Sequence, residues 1–168
     1  FLASGTKNKM VLGHYRFVEG SYKCVKKLAT VCSSIYYVEA AANDAGEIFL
    51  VYAGLSKNRK GFSVYSRKFS GRWGGEVCHE LKDGCSINRP KLAVGSGGKV
   101  VMVADCFDGR KFKIIAKRLE GELNWKAVCA DSAWQLFPSI TCDANGEFWV
   151  CWLRQREVER DRLAGLYQ

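Results

Sequence analysis

Only two prolines and two histidines occur among the 168 residues, and each scarcity removes a class of reading. So little proline leaves no collagen-like period and no Pro-rich spacer. The two histidines, His14 and His79, stand far apart, and no Cys-x2-Cys accompanies either, so the usual zinc spacing is missing. Neither histidine sits in a motif that would make it the base for a serine or cysteine nucleophile. No apolar run approaches the roughly 18 to 20 residues of a membrane-spanning helix. The opening FLASGTKNKM lacks a basic flank followed by an apolar stretch and does not start with Met, so the chain is expected to be a mature or excised piece.

What is present suits a globular domain with a real core. The chain is 48% apolar and 12% aromatic, at a length that one domain commonly fills. Lys plus Arg number 26 against 17 Asp plus Glu, and this net charge of +9 favours anionic partners.

Self-similarity organises the rest. Val38 to Gly46, Pro90 to Gly98 and Pro138 to Gly146 align without gaps, each ending in a glycine turn. After the glycines come Ile48-Phe49-Leu50-Val51-Tyr52, Val100-Val101-Met102-Val103-Ala104 and Phe148-Trp149-Val150-Cys151-Trp152, runs that suit strands. A second landmark recurs between these hairpins: Arg16, Gly20 and Tyr22, then Arg67, Gly71 and Trp73, then Arg118, Gly121 and Trp125. The segments Lys9 to Phe17, Phe62 to Phe69 and Phe112 to Leu119 read as third strands, and the aromatic after each glycine opens a fourth, such as Trp125 to Cys129. The one window of helix-favouring composition, Leu153 to Leu166, is read as loop and strand, because its equivalents are polar loops followed by a strand.

A period near 50 residues with four strands per unit predicts an all-β chain of β-propeller blades. The Pro-x-apolar-x-apolar strand, glycine turn, apolar strand, Arg-containing strand and Gly-x-Trp turn, clearest in Pro90 to Trp125 and Pro138 to Trp152, resemble the blade repeats of bacterial WD40-like and sialidase-like propellers. The sialidase-like resemblance implies an Asp-box, Ser-x-Asp-x-Gly-x-x-Trp, between third and fourth strands. The matching turns, Phe69 to Trp73 and Leu119 to Trp125, lack its aspartate, and Asp44-Ala45-Gly46 is read as an ordinary hairpin turn.

The whole of 1–168 is read as a single partial propeller domain, with blades at about 1–34, 35–86, 87–134 and 135–168. Phe1 to Ala3 are expected to end a second strand, and Gly165 to Gln168 to lie inside a third. Propellers commonly close with 4 to 8 blades, so about three imply either a piece of a larger propeller or a homo-oligomer that completes the ring.

Cys24 with Cys32, and Cys78 with Cys85, bracket the same passage in successive repeats and are candidate local disulfides in an oxidising compartment; an extracellular or periplasmic location is therefore favoured. Cys142 and Cys151 stand where other copies have Ala42 and Val94, and Val51 and Val103, which predicts small core residues; Cys106 and Cys129 have no repeat-matched partner.

Candidate ligand contacts come from positive charge at the loops between second and third strands. Lys7 and Lys9, Lys57, Arg59 and Lys60, Arg110 and Lys111, and Arg154, Arg156 and Arg160 all fall there, on what a propeller makes one face. Arg16, Arg67 and Arg118 recur at one blade position and are expected to pack or pair between blades. Asp105, Asp108 and Asp131 could supply carboxylates for glycoside hydrolysis, but each is read as a turn or solvated residue.

The functional expectation is a non-enzymatic binding module for a protein or acidic-glycan partner, with no metal or other cofactor. Nucleic acid is less favoured, since no stacking aromatics can be singled out. The alternatives are part of a glycan-active propeller enzyme and a subunit whose role is ring assembly.

Overall fold

A computed structural model describes residues 2–6, 9–56, 61–81, 85–121 and 124–155. Four antiparallel sheets follow one another along the chain. The first holds β1 (Leu2–Thr6), β2 (Lys9–Val18) and β3 (Ser21–Ala29). The second holds β4 (Cys32–Ala42), β5 (Ile48–Ser56) and β6 (Phe62–Ser70), with the short β7 (Arg72–Trp73) and β8 (Val77–His79) both paired to β6. The third runs β9 (Ser86–Val94), β10 (Val100–Phe107), β11 (Phe112–Arg118) and β12 (Lys126–Ala127), and the fourth pairs β13 (Trp134–Cys142) with β14 (Phe148–Gln155). Within each sheet the described strands meander, and the third sheet is the four-stranded unit read from the repeat.

The first hairpin of each copy folds on the same backbone frame. Asn43, Gly95 and Asp143 each donate their N–H to the carbonyl four residues on, at 3.0, 2.8 and 3.0 Å. Side chains close two of these turns. Asn43 Oδ1 accepts the Glu47 N–H, while Asp143 Oδ1 accepts from Asn145 and Glu147 and its Oδ2 accepts the Trp149 indole N–H at 3.0 Å. The third copy has only glycine at that place and turns instead through Gly97 and Gly98, at φ of 71° and 75°.

Alternation along β5 explains how the sheets stack. Phe49 and Val51 point to one face and join Ile87, Leu92, Val100 and Met102 of the third sheet; Leu50 and Tyr52 point to the other and join Leu12 and Leu28 of the first. A sheet buried on both faces needs apolar residues at consecutive positions, as β5 has. The fourth sheet differs, because among the described residues nothing packs against one of its faces. Cys151 and Trp149 are therefore exposed, and the core position expected for Cys151 is corrected.

The fourth strands are shorter than expected. β12 is two residues rather than Trp125 to Cys129, and the second copy's fourth strand is divided into β7 and β8 around Gly74-Gly75. β14 continues the second strand to Gln155, while the rest of the Leu153 to Leu166 window, and Gly165 to Gln168, lie outside the described residues.

Two polar knots tie neighbouring sheets. Arg67 donates from Nη2 to the Ala29 carbonyl of β3 at 2.5 Å and from Nη1 to the Gly74 carbonyl, and pairs with Glu76 at 3.5 Å. Glu76 in turn accepts the Val31 N–H and the Tyr52 hydroxyl. Of the three repeated arginines, Arg67 makes this inter-sheet pairing, whereas Arg16 and Arg118 are exposed. Between the second and third sheets, His79 shares a hydrogen bond of 2.7 Å between Nε2 and Ser66 Oγ, and its Nδ1 lies 3.0 Å from Lys117 Nζ.

All eight cysteines are free thiols, so the local bridges expected for Cys24 with Cys32 and Cys78 with Cys85 are corrected. Cys24 faces solvent on β3, whereas Cys32 starts a strand of the next sheet with its sulfur buried over Gly54. Cys78 is exposed and donates to Glu80, while Cys85 packs against the core cluster that holds Cys106.

Candidate functional site

β4, β9 and β13 are each the terminal strand of their sheet, and β9 packs between the other two. Each is interrupted at the same repeat position. Tyr37, Arg89 and Phe137 have φ of 54°, 47° and 56°, and the pairing register shifts beside every one of them. Left-handed backbone costs a non-glycine residue about 1–2 kcal/mol, so three equivalent cases need support from their surroundings. Bulges of this kind re-aim side chains. Here they leave Tyr37 and Phe137 more than half exposed, with Tyr36 alongside at 50%.

Arg89 is the charged member of the trio. Its Nε donates to Asp105 Oδ2 at 2.5 Å, and its guanidinium lies 4.4 Å from the ring centre of Phe137 and 5.6 Å from that of Phe112. The same Asp105 oxygen accepts the Phe137 N–H at 3.2 Å, so one carboxylate fixes both the arginine and the neighbouring bulge. The terminal amino groups of Arg89 have no hydrogen-bond partner among the described residues. The result is a flat, preorganised N–H donor surface between aromatic faces.

Asp105 is fully buried on β10, which corrects its reading as a turn or solvated residue. Burial pushes its carboxyl above the usual range, with Arg89 and the Phe137 N–H pulling the other way, and its Oδ1 has no hydrogen-bond partner among the described residues. Ala53 and Leu153 hold the equivalent places in the other copies, so this carboxylate is peculiar to the third sheet. Close by, Lys91 of β9 pairs with Glu39 of β4 at 2.6 Å.

The basic loops are only partly described. Lys57, Arg59, Lys60, Arg156 and Arg160 lie outside the described residues, as do the side chains of Lys7 and Lys9. The structure brings Lys111 and Arg154 together at Asp131, Lys111 donating to its carbonyl and Arg154 to its carboxylate. Arg154 accordingly holds the Asp131 carboxyl down at about 2. Asp108 is a turn residue, accepting the N–H groups of Arg110 and Lys111, and Lys113 at 2.5 Å keeps it well below the ordinary carboxylate range. Arg110 is exposed and has no ion-pair partner among the described residues. No group of three or more His, Cys, Asp or Glu that could hold a metal comes together among the described residues.

The trio had a signal in the sequence. Tyr37, Arg89 and Phe137 directly precede Val38, Pro90 and Pro138, where the repeat alignment begins, but their residue types differ and only the backbone shows what they share.

No family model and no curated protein matches the sequence. Among solved structures, the Penicillium chrysogenum alpha-L-arabinanase complexed with arabinobiose superposes with a TM-score of 0.63 at 12% identity, covering 86% of this chain and 50% of that one. The fold is a partial β-propeller. This propeller segment spans about half the length of the arabinanase, and at that identity the likeness is one of fold. A fucose lectin from Kordia zhangzhouensis in complex with methyl-fucoside is also similar, with a TM-score of 0.49, 13% identity, and 71% and 85% of the two chains covered.

Proposed function

We propose that this propeller segment is a non-enzymatic binding module for acidic carbohydrate, with Arg89 as the principal contact. One observation carries the reading: Arg89 is locked by a fully buried Asp105 and two aromatic rings, yet its terminal N–H groups meet no acceptor among the described residues. A guanidinium held this way offers paired donors to a carboxylate or sulfate without losing side-chain entropy on binding. Exposed Tyr36, Tyr37 and Phe137 supply apolar faces on which a sugar ring can rest. The basic loops Lys57 to Lys60 and Arg110 add long-range attraction for the same ligand class.

The test is calorimetric titration of the chain with an oligogalacturonate and with its neutral, reduced counterpart. Binding of the acidic form alone, weakened at least tenfold in Arg89→Gln, is the expected result. Equal affinity for the two sugars, or an unchanged affinity in Arg89→Gln, refutes the reading. The alternative, a segment of a glycan-active propeller enzyme, is favoured by the raised carboxyl of Asp105 and its Oδ1, which has no hydrogen-bond partner among the described residues. It predicts slow cleavage of an oligosaccharide that disappears in Asp105→Asn.

A further inference from the structure

Cys85 directly precedes β9, and Cys106 lies near the end of β10. The register pairs Ser86 with Phe107 and Ile87 with Cys106, so Cys85 and Cys106 share a sheet face one diagonal step apart. Cys85 is the neighbouring group that, after burial, does most to raise the Cys106 thiol. Cys106 is buried in the core cluster with Ile87, Leu92 and Met102, whereas Cys85 is partly exposed and packs against the same cluster. Cys85 is thus the more exposed of the two residues. In the second copy the two positions hold Ser33 and Gly54, so the pairing belongs to the third sheet alone.

We propose that Cys85 and Cys106 form a reversible disulfide, with a low-molecular-weight disulfide as the oxidant. Cys85, the accessible partner, attacks as thiolate; the S–S bond of the oxidant breaks, one small thiolate leaves, and a mixed disulfide forms on Cys85. Cys106 then loses its proton and attacks the Cys85 sulfur, breaking the mixed disulfide and expelling the second small thiolate. The two protein protons end on the two small thiols released. Two protein thiols are oxidised and one small disulfide is reduced. Burial, with Cys85 adjacent, pushes the Cys106 thiol up to about 12, which makes the second displacement the slower one. The bridge clamps the entry to β9, four residues before Arg89, onto the strand that carries Asp105. It stands independently of what Arg89 binds.

The experiment equilibrates the full chain, natively folded, in oxidised and reduced glutathione, quenches with an alkylating agent, and maps unreduced peptides by mass spectrometry. The expected product is a Cys85–Cys106 linked peptide, two hydrogens lighter than the sum of its parts, that disappears on reduction. In Cys106→Ser, Cys85 should accumulate as the glutathione mixed disulfide, at least fivefold above the wild-type level. Should that variant fail to fold, Cys85→Ser serves instead, with Cys106 then resisting alkylation until the chain is denatured. Cys85 recovered in wild type mainly as mixed disulfide, as free thiol in fully oxidising buffer, or bridged to another cysteine would overturn the proposal.

Discussion

Acidification should weaken the fold through His79, by an amount that the structure allows to be worked out. The imidazole is buried between the second and third sheets, with Ser66 Oγ on one nitrogen and Lys117 Nζ on the other. A protonated ring would be a buried cation beside a second cation, so burial first and Lys117 second lower its pKa from 6.5 to about 4. Between those values the unfolded chain holds a proton on this residue that the folded chain refuses. The stabilisation is therefore complete above about pH 6.5 and is lost as pH falls towards 4. At 1.36 kcal/mol per pH unit the full loss is about 3 kcal/mol, a large share of the 5–15 kcal/mol typical of a domain. His14 shifts in the same direction, Asp108 and Asp131 lose stabilisation at lower pH, and Asp105 acts with the opposite sign. The quantity to follow is thus the difference in urea-unfolding free energy between wild type and His79→Gln from pH 7.5 to 4.5. That difference should shrink by about 2 kcal/mol over the range, since the variant is less stable at neutral pH but has no imidazole to protonate. A difference that stays constant to within about 0.5 kcal/mol would refute the account of His79 as a buried neutral link.

Leu50→Ala should cost about 2–5 kcal/mol in chemical denaturation, because Leu50 is fully buried between the first two sheets; a cost below 1 kcal/mol would mean that those sheets do not stack as described. Asp143→Ala removes the acceptor for two turn N–H groups and the Trp149 indole, and should lower stability by about 1 kcal/mol with a change in tryptophan fluorescence. Asn at that position should recover most of the loss. Arg67→Met leaves Glu76 buried without its cation and should destabilise by about 3 kcal/mol, which Arg67→Met combined with Glu76→Gln partly restores in thermal melts.

The architecture was legible because it repeats. Each hairpin carries its own turn residues and each second strand its own apolar run, so local chemistry specified the same unit several times. What the sequence hid depended on contacts across sheets or on backbone alone. Cys151 occupies a core position of the repeat, yet it is exposed because burial requires a neighbouring face that no pattern within its own strand supplies. Asp105 is a turn residue by type, yet it sits within β10, where Arg89 and the Phe137 N–H together make a buried carboxylate tolerable. No residue type marks the three bulges, because tyrosine, arginine and phenylalanine share no propensity for a left-handed backbone; what they share is a place in the blade.

Arg67 and Arg89 show how the same ion-pair chemistry can engage the terminal guanidinium donors in one sheet and leave them without an acceptor among the described residues in the next. Both are paired with a largely buried carboxylate, and both lie where neighbouring sheets meet. Arg67 uses Nη1 and Nη2 on the Gly74 and Ala29 carbonyls and on Glu76, so its terminal donors are consumed in holding sheets together. Arg89 instead binds its carboxylate through Nε, the one nitrogen that faces back along its own side chain, and is flanked by rings that offer no competing acceptor. Had its role been to join sheets, the terminal nitrogens, which reach furthest, would be the ones engaged. Its guanidinium is fixed from behind, and in front its terminal nitrogens meet no acceptor among the described residues.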